Sequence, residues 1–536
     1  MAMHRKRIPP VLWLGLVPLS FLSLVMLAPL LRIGVEAVTG ASGATGAMVA
    51  DLWREDYLRW RIMWSFVQAG ATCIAALVLA VPVAWVLARF RFAGRGLLLR
   101  LLMLPFVVPT LVAAMGVLAL WGPHGLVSGW FGIHLQDTPW LLLYGNLFFN
   151  LCLVVRAGVD ALGHVSAARV AAARTLGASP WRVFWRVEWP AIVPWLASAL
   201  CLVFLYCLSG FGLALVLGGQ RYATAEVEIY TLVAHELQLA QAGVLTVCMA
   251  LLTALVALAY AWIEQHLAIP GRPDAIALRR PASWRQWAAV GGAVLVLGVF
   301  CGAPLLAIAV RAVQAGAPAW ATVLEDDSLQ AVGNTLRFTA AALVLAVVLG
   351  VTHALAARRS VWLRAAAFLP FVVSPVAVAF GLLLLYPQWT ASLWILVAAY
   401  ALLAYPFVAQ SLGAALDQLP LHLTQAARTL GATPWRLFWR VTLPLVLPSL
   451  RRGMAFAAAT ALGEFAVTLF LSRPEWTTLT TLIYERLGRP GAGNRDAALV
   501  LAALLMLLAL LAFLLIDNPG RRDGTRTRLV AGAAHA

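Results

Sequence analysis

Apolar runs of about 20 residues, separated by short polar or arginine-bearing stretches, recur along the whole chain. A run of that length crosses a bilayer core of about 30 Å as a helix. Candidate spans fall near 11–34, 62–88, 98–121, 140–162, 191–217 and 240–265. A second set falls near 287–313, 331–357, 361–386, 391–416, 447–472 and 497–516. The stretch 269–286, with Pro270, Gly271, Pro273 and Pro281, reads as a cytoplasmic linker. The expectation is an all-α polytopic integral membrane protein of about 12 transmembrane helices. Residues 1–268 would form the first half and 287–536 the second. Six spans per half make the halves parallel repeats related by an axis along the membrane normal.

Composition agrees with this reading. Of 536 residues, 62% are hydrophobic and 11% charged, against roughly 25% charged in soluble domains. The net charge of +17 has a simpler origin than nucleic-acid binding, because cytoplasmic loops of membrane proteins collect Arg and Lys. With the N-terminus inside, 28 of the 39 basic residues fall on that side, and both termini are expected to be cytoplasmic. The first run follows Arg5, Lys6 and Arg7, yet it is longer than the roughly 7–15 apolar residues of a cleaved signal. Lys6 is the single lysine, which excludes a phosphate-binding loop of the GxxxxGK[ST] type within the chain. All six cysteines lie in apolar runs and read as small packing residues, with no metal site or disulfide framework expected.

An internal repeat carries the most information. Residues 172–194 read AARTLGASPWRVFWRVEWPAIVP and residues 426–448 read AARTLGATPWRLFWRVTLPLVLP. Sixteen of 23 positions are identical at an offset of 254, whereas elsewhere the halves are only loosely similar, LPFVV at 104–108 and 369–373 excepted. The local chemistry predicts a helix, a sharp turn and a second short helix. Gly177 and Gly431 end the first helix in the left-handed region. Ser179-Pro180 and Thr433-Pro434 cap and open the second. Trp181, Phe184 and Trp185, like Trp435, Phe438 and Trp439, then fall at i, i+3 and i+4. A helix lying in the lipid headgroup layer would explain Trp beside Arg. It would not explain the same sequence twice, so a common docking partner is the expectation.

Both copies resemble the EAA loop of ABC importer permeases. The matching positions are Ala171-Ala172-Ala173, Gly177, Val187 and Trp189-Pro190, then Gln425-Ala426-Ala427, Gly431, Val441 and Leu443-Pro444. Ala171 and Gln425 stand where the family has Glu. The resemblance extends over essentially the whole chain as two fused halves with loops 165–190 and 424–444. It implies that each loop inserts a short helix into a groove of a cytoplasmic ABC ATPase, two copies in all. ATP would be bound by that partner, with no cofactor on this chain, and a periplasmic binding protein would deliver substrate. A bacterial inner-membrane location follows from the same resemblance. The docking residues it implies are Ala172, Ala173, Gly177, Pro180, Trp181, Phe184, Trp185 and Pro190. Their counterparts are Ala426, Ala427, Gly431, Pro434, Trp435, Phe438, Trp439 and Pro444. Among fused permeases, WSFVQA at 64–69, FWRVEWP at 184–190 and LVLGGQRYATAEVEIYTL at 215–232 resemble those of thiamine and thiamine diphosphate importers. Iron(III) permeases share the architecture and a segment like Leu462-Gly463-Glu464-Phe465, and they stand as the alternative.

Leu217-Gly218-Gly219-Gln220 looks like an ABC ATPase signature but reads as a turn closing a helix. Glu464 is the clearest acid within a span, either facing the substrate path or bonded to neighbouring backbone or Thr460. His353 is expected to pack within the bundle. Asp51, Glu55, Asp56, Glu226 and Glu228 fall in outer loops and are expected to include binding-protein contacts. An ion-coupled transporter would need more buried ionisable groups than Glu464 and His353, and would leave the repeated loop without purpose. A membrane enzyme would need a catalytic cluster that the sequence does not offer.

Overall fold

The computed structural model describes residues 13–39, 54–267 and 277–517, apart from 134, 359, 391 and 472. The first part of the expected linker, the terminal arginines and Asp51 lie outside the described residues. Two matching series of helices follow one another. In the first half α1 is Leu16–Thr39, α2 Asp56–Arg89, α3 Thr110–Trp121, α4 Pro139–Gly163 and α5 Ala167–Thr175. Then come α6 Trp189–Leu208, α7 Phe211–Leu217, α8 Ala225–Ala234 and α9 Leu239–Leu267. The second half repeats the order with α10 Trp284–Gln314, α11 Asp326–Ala357, α12 Pro375–Leu385 and α13 Leu393–Asp417. It closes with α14 Leu421–Thr429, α15 Leu443–Leu462, α16 Ala466–Leu471, α17 Leu479–Gly488 and α18 Ala492–Asp517.

The expected count of about twelve spans is not confirmed in full. Ten helices among the described residues are long and apolar enough to cross a membrane, or eleven if the bent pair Trp362–Val372 and Pro375–Leu385 is one span. The expected span left out of that count is α15, whose exposed Arg451 and Arg452 lower its apolarity. Several expected spans are also broken. The run at 98–121 stops at Val108 and Pro109 before α3. The run at 361–386 bends by 93°. The runs at 191–217 and 447–472 part at Ser209-Gly210 and at Gly463-Glu464, leaving the short α7 and α16. Proline without an amide hydrogen and glycine without a Cβ make these the points where the ladder fails. The ten-residue helices α8 and α17 were not anticipated.

Each half lends its first helix to the other. Helix α1 packs on α12 as well as on α9, while α10 packs on α3 as well as on α18. The two crossings are closed alike, by glycine against proline backbone. A Cβ on Gly116 would lie 2.7 Å from the Pro304 carbonyl oxygen, and one on Gly381 would lie 2.8 Å from the Pro29 carbonyl carbon. In lipid there is little hydrophobic force between helices, so such close backbone approach supplies the packing. One buried cluster consequently draws on both halves, with Ile33, Leu111, Ile308, Phe380 and Phe465 in it.

Candidate functional site

Two places carry candidate chemistry, the paired loops and a cavity between the halves. The loops are built alike. In the first, Ser166 caps α5 by accepting from the Arg169 amide at 3.5 Å. Gly177 takes φ +79° and Gly431 φ +77°, the left-handed conformation that glycine adopts without Cβ strain. Around them the same bonds recur. Leu176 N donates to Ala172 O and Ala178 N to Ala173 O at 3.1 and 3.0 Å. Leu430 N and Ala432 N do so to Ala426 O and Ala427 O, again at 3.1 and 3.0 Å. Ser179 and Thr433 then accept from the Arg182 and Arg436 amides, both at 3.4 Å. The short helices Pro180–Val183 and Pro434–Leu437 follow. Wide turns at Phe184–Glu188 and Phe438–Thr442 lead into α6 and α15, behind Pro190 and Pro444.

What the loops present is unusual for a surface. Leu176 is 88% exposed and Leu430 87%, Trp181 71% and Trp435 70%, Trp185 44% and Trp439 49%. The rings are ordered against one another, Trp181 and Trp185 at 5.6 Å and Trp435 and Trp439 at 5.5 Å between centroids. Phe184 and Phe438 are half-buried behind them. Two apolar knobs of one shape, rimmed by Arg182, Arg186, Arg436 and Arg440, suit a groove on a partner.

The cavity, of about 270 Å³, lies where four helix breaks meet. Pro109, Gly210, Pro375 and Gly463 all line it, one break from each of the divided spans. Irregular backbone is tolerated at membrane depth where it borders such a cavity. The repeat shows here as well. Phe211 and Phe465, equivalent at the offset of 254, stack on each other at 5.9 Å across the junction of the halves. Phe106 and Phe371, the middle residues of the two LPFVV copies, both pack on Phe407, at 6.4 and 5.1 Å. Tyr206 and Phe149 complete an aromatic wall, with Thr110, Asn146, Asn150, Ser209 and Thr460 as polar members.

Glu464 gives this cavity the one charged side chain among its described lining residues. It sits in the break between α15 and α16, where its carboxylate accepts from the Val467 amide at 3.0 Å. It thus bonds neighbouring backbone at the start of the next helix while bordering the cavity. The equivalent position in the first half is Gly210. His353 is fully buried, its Nε2 2.6 Å from the Leu363 carbonyl and its ring stacked on Tyr405, so it packs within the bundle.

Two expected outer contacts are overturned. Glu226 and Glu228 are 3% and 4% exposed and face the interior. Ser374 Oγ donates to Glu226 across the halves. Glu228 accepts from Tyr57 at 2.8 Å and pairs with Arg61 at 3.3 Å. Arg61 also donates to the carbonyls of Gln220, Arg221 and Ala223, which pins the turn after Leu217 to α2. Glu55 and Asp56 are exposed. Sequence reasoning also missed Glu188, buried at 3% exposure and paired with Arg89. Its one signal is that, among the seven positions at which the two copies differ, it alone brings in a charge, opposite Thr442.

Comparison with known proteins follows the same division. Residues 76–269 and 342–522 each match the family described as binding-protein-dependent transport system inner membrane component. A thiamine transport system permease protein of Salmonella typhimurium is 29% identical, with 98% of this chain and 100% of that protein covered. That of Escherichia coli is 28% identical over 88% and 91%, and that of Brucella abortus 29% over 93% and 94%. A crystal structure of a bacterial alginate ABC transporter with its periplasmic protein aligns to 49% of this chain at 17% identity and a TM-score of 0.42.

Proposed function

Because the chain belongs to the family of binding-protein-dependent inner membrane transport components, we propose that it is the permease of an ATP-driven thiamine importer. The observation that carries this is the pair of matched loops, each offering an exposed leucine and two exposed tryptophans on a rigid turn. Two copies of a cytoplasmic ABC ATPase dock there, one per loop, and hold the ATP. A periplasmic binding protein delivers substrate to the opposite face, and both termini are cytoplasmic. Closure of the ATPases drives the loops 165–190 and 424–444 together. The movement passes through Pro190 and Pro444 into α6 and α15, whose far ends border the cavity. Substrate then crosses inward between the halves.

The cavity supports a flat organic cation as cargo. Rings from both halves offer π faces, which attract cations, and Glu464 supplies a single counter-charge. A ferric ion, a hard and highly charged cation, favours several anionic oxygen ligands, and this cavity offers one carboxylate among neutral hydroxyl and amide groups. The relatives named for thiamine transport support the same choice. The test is uptake of labelled thiamine by permease-null cells expressing this chain with its binding protein and ATPase, with ferric iron in parallel. Thiamine accumulation that depends on ATP and falls in Glu464→Gln is the expected result. Iron uptake alone would overturn the substrate, and uptake of thiamine unaffected by Glu464→Gln would overturn the role of that carboxylate.

A further inference from the structure

The two loops are matched in shape but not in how they are fastened. In the first half the wide turn after the short helix ends at Glu188, and its carboxylate is held from two directions within α2. Arg89 pairs with Oε1, and Trp85 Nε1 donates to Oε2 at 3.2 Å. Arg89 and Glu188 are 6% and 3% exposed, so this is a buried ion pair. Arg174 of α5 and Arg279 of the linker also act electrostatically on Arg89, which leaves Glu188 as the counter-charge of a basic cluster.

The linker joins at the same spot. Arg279 N donates to Arg89 O at 3.1 Å, and Arg91 N donates to Arg279 O at 2.8 Å. Phe90 and Arg279 thereby form an isolated parallel bridge, and the Arg279 guanidinium lies 5.4 Å from the Phe90 ring centroid. Three parts of the chain distant in sequence are thus locked together at one end of α2. In the second half the residue equivalent to Glu188 is Thr442, which carries no charge to pair with α11.

We propose that Arg89, Glu188 and the linker around Arg279 form a clamp that makes the first docking helix and α2 move as one body. The linker is then a working part of the coupling apparatus, and the two ATPase subunits push against unequal levers. Breaking a buried pair leaves one charge uncompensated, so removing the clamp loosens the first lever and leaves the exposed docking face unchanged. This inference rests on the docking role of the loops given above.

The test uses the whole transporter in proteoliposomes, with its ATPase and thiamine-loaded binding protein, and reads thiamine transported per ATP hydrolysed. Glu188→Gln is expected to lower that ratio about tenfold, the scale of one lost charge-assisted hydrogen bond, while the ATPase still co-purifies. Thr442→Val is expected to leave the ratio unchanged, and the paired exchange Arg89→Glu with Glu188→Arg to restore part of the loss. A normally accumulating Glu188→Gln chain with an unchanged ratio overturns the clamp. Should that variant fail to accumulate, Arg279→Pro decides, because it leaves the ion pair in place and removes the linker's amide donor to Arg89 together with the guanidinium over Phe90. An unchanged ratio there overturns the proposal, and a fall sustains it. Loss of ATPase co-purification in the clamp variants would also overturn it, since the pair would then be shaping the docking face itself. The docking role fails separately, if truncation of Trp181 and Trp435 leaves the ATPase bound.

Discussion

Valine at Gly177 or Gly431 is expected to uncouple ATP hydrolysis from transport. Both glycines hold φ near +80°, and a built Cβ at either meets nothing within 4 Å. The cost is therefore conformational and not steric. An L-residue in this region costs roughly 1–2 kcal/mol, and a β-branched one falls at the upper end. A penalty of that size depletes the native turn by about five- to thirtyfold relative to its alternatives. With both loops altered the penalties add, because the sites share no partners. Asparagine, which tolerates the left-handed region, should recover much of the function, with alanine between the two. The assay is thiamine uptake in proteoliposomes together with co-purification of the ATPase, for Asn, Ala and Val at each site. If the double valine variant kept both readouts, or asparagine did no better than valine, the turn would not be what positions the docking helix.

Three further outcomes are expected. Trp181→Ala and Trp435→Ala should each weaken ATPase co-purification, and together should abolish it, since each truncation removes an exposed ring worth about 2 kcal/mol or more at a groove; retention of the ATPase by the double variant would count against docking. Gly116→Leu and Gly381→Leu should each lower stability in detergent by about 1–3 kcal/mol through overpacking, seen as a reduced melting temperature, because the new Cβ meets proline backbone at 2.7 or 2.8 Å; unchanged melting would mean the crossings are looser than they look. Arg61→Met should destabilise the turn at residues 220–223 and raise its proteolytic sensitivity, because the Gln220 and Ala223 carbonyls lose the Arg61 donor and the Arg221 carbonyl is left with Trp60 alone; a turn that resisted cleavage as before would refute that anchoring.

The loops were legible because their signals are local. Gly177, Ser179 and Pro180 each dictate a conformation without help from the rest of the fold, and a second copy repeats the instruction. The spans were legible as apolar runs, but the breaks in them were not. Hydropathy is blind to direction, so the run at 361–386 gives no sign of a 93° bend, although Ser374-Pro375 marks the place. Glu226 and Glu228 were misread because charge near a helix end was taken for exposure. Their partners Ser374, Tyr57 and Arg61 are 148, 171 and 167 residues away in sequence or nearly so, beyond the reach of any local pattern. The aromatic wall of the cavity was hidden for the same reason. Phe106 and Phe371 stood out as a repeat, yet nothing local says that both meet Phe407.

The exchange of first helices sets a timetable for biosynthesis. Gly381 leaves the ribosome about 350 residues after Pro29, which at roughly 5–20 residues per second is a delay of about 20–70 s. During that interval α1 has at most α9, and near its end α11, of its final neighbours to rest on, and the face that α12 will cover stays against lipid. The contact of α10 across the junction has no such wait, because α3 is already in the membrane when it emerges, although α10 still awaits α18 of its own half. Across the junction, maturation is therefore lopsided: α10 meets a partner already made, while α1 waits until synthesis has entered the last third of the chain. A nascent chain stalled before α12 would carry an unsealed α1, open to capture by membrane proteases.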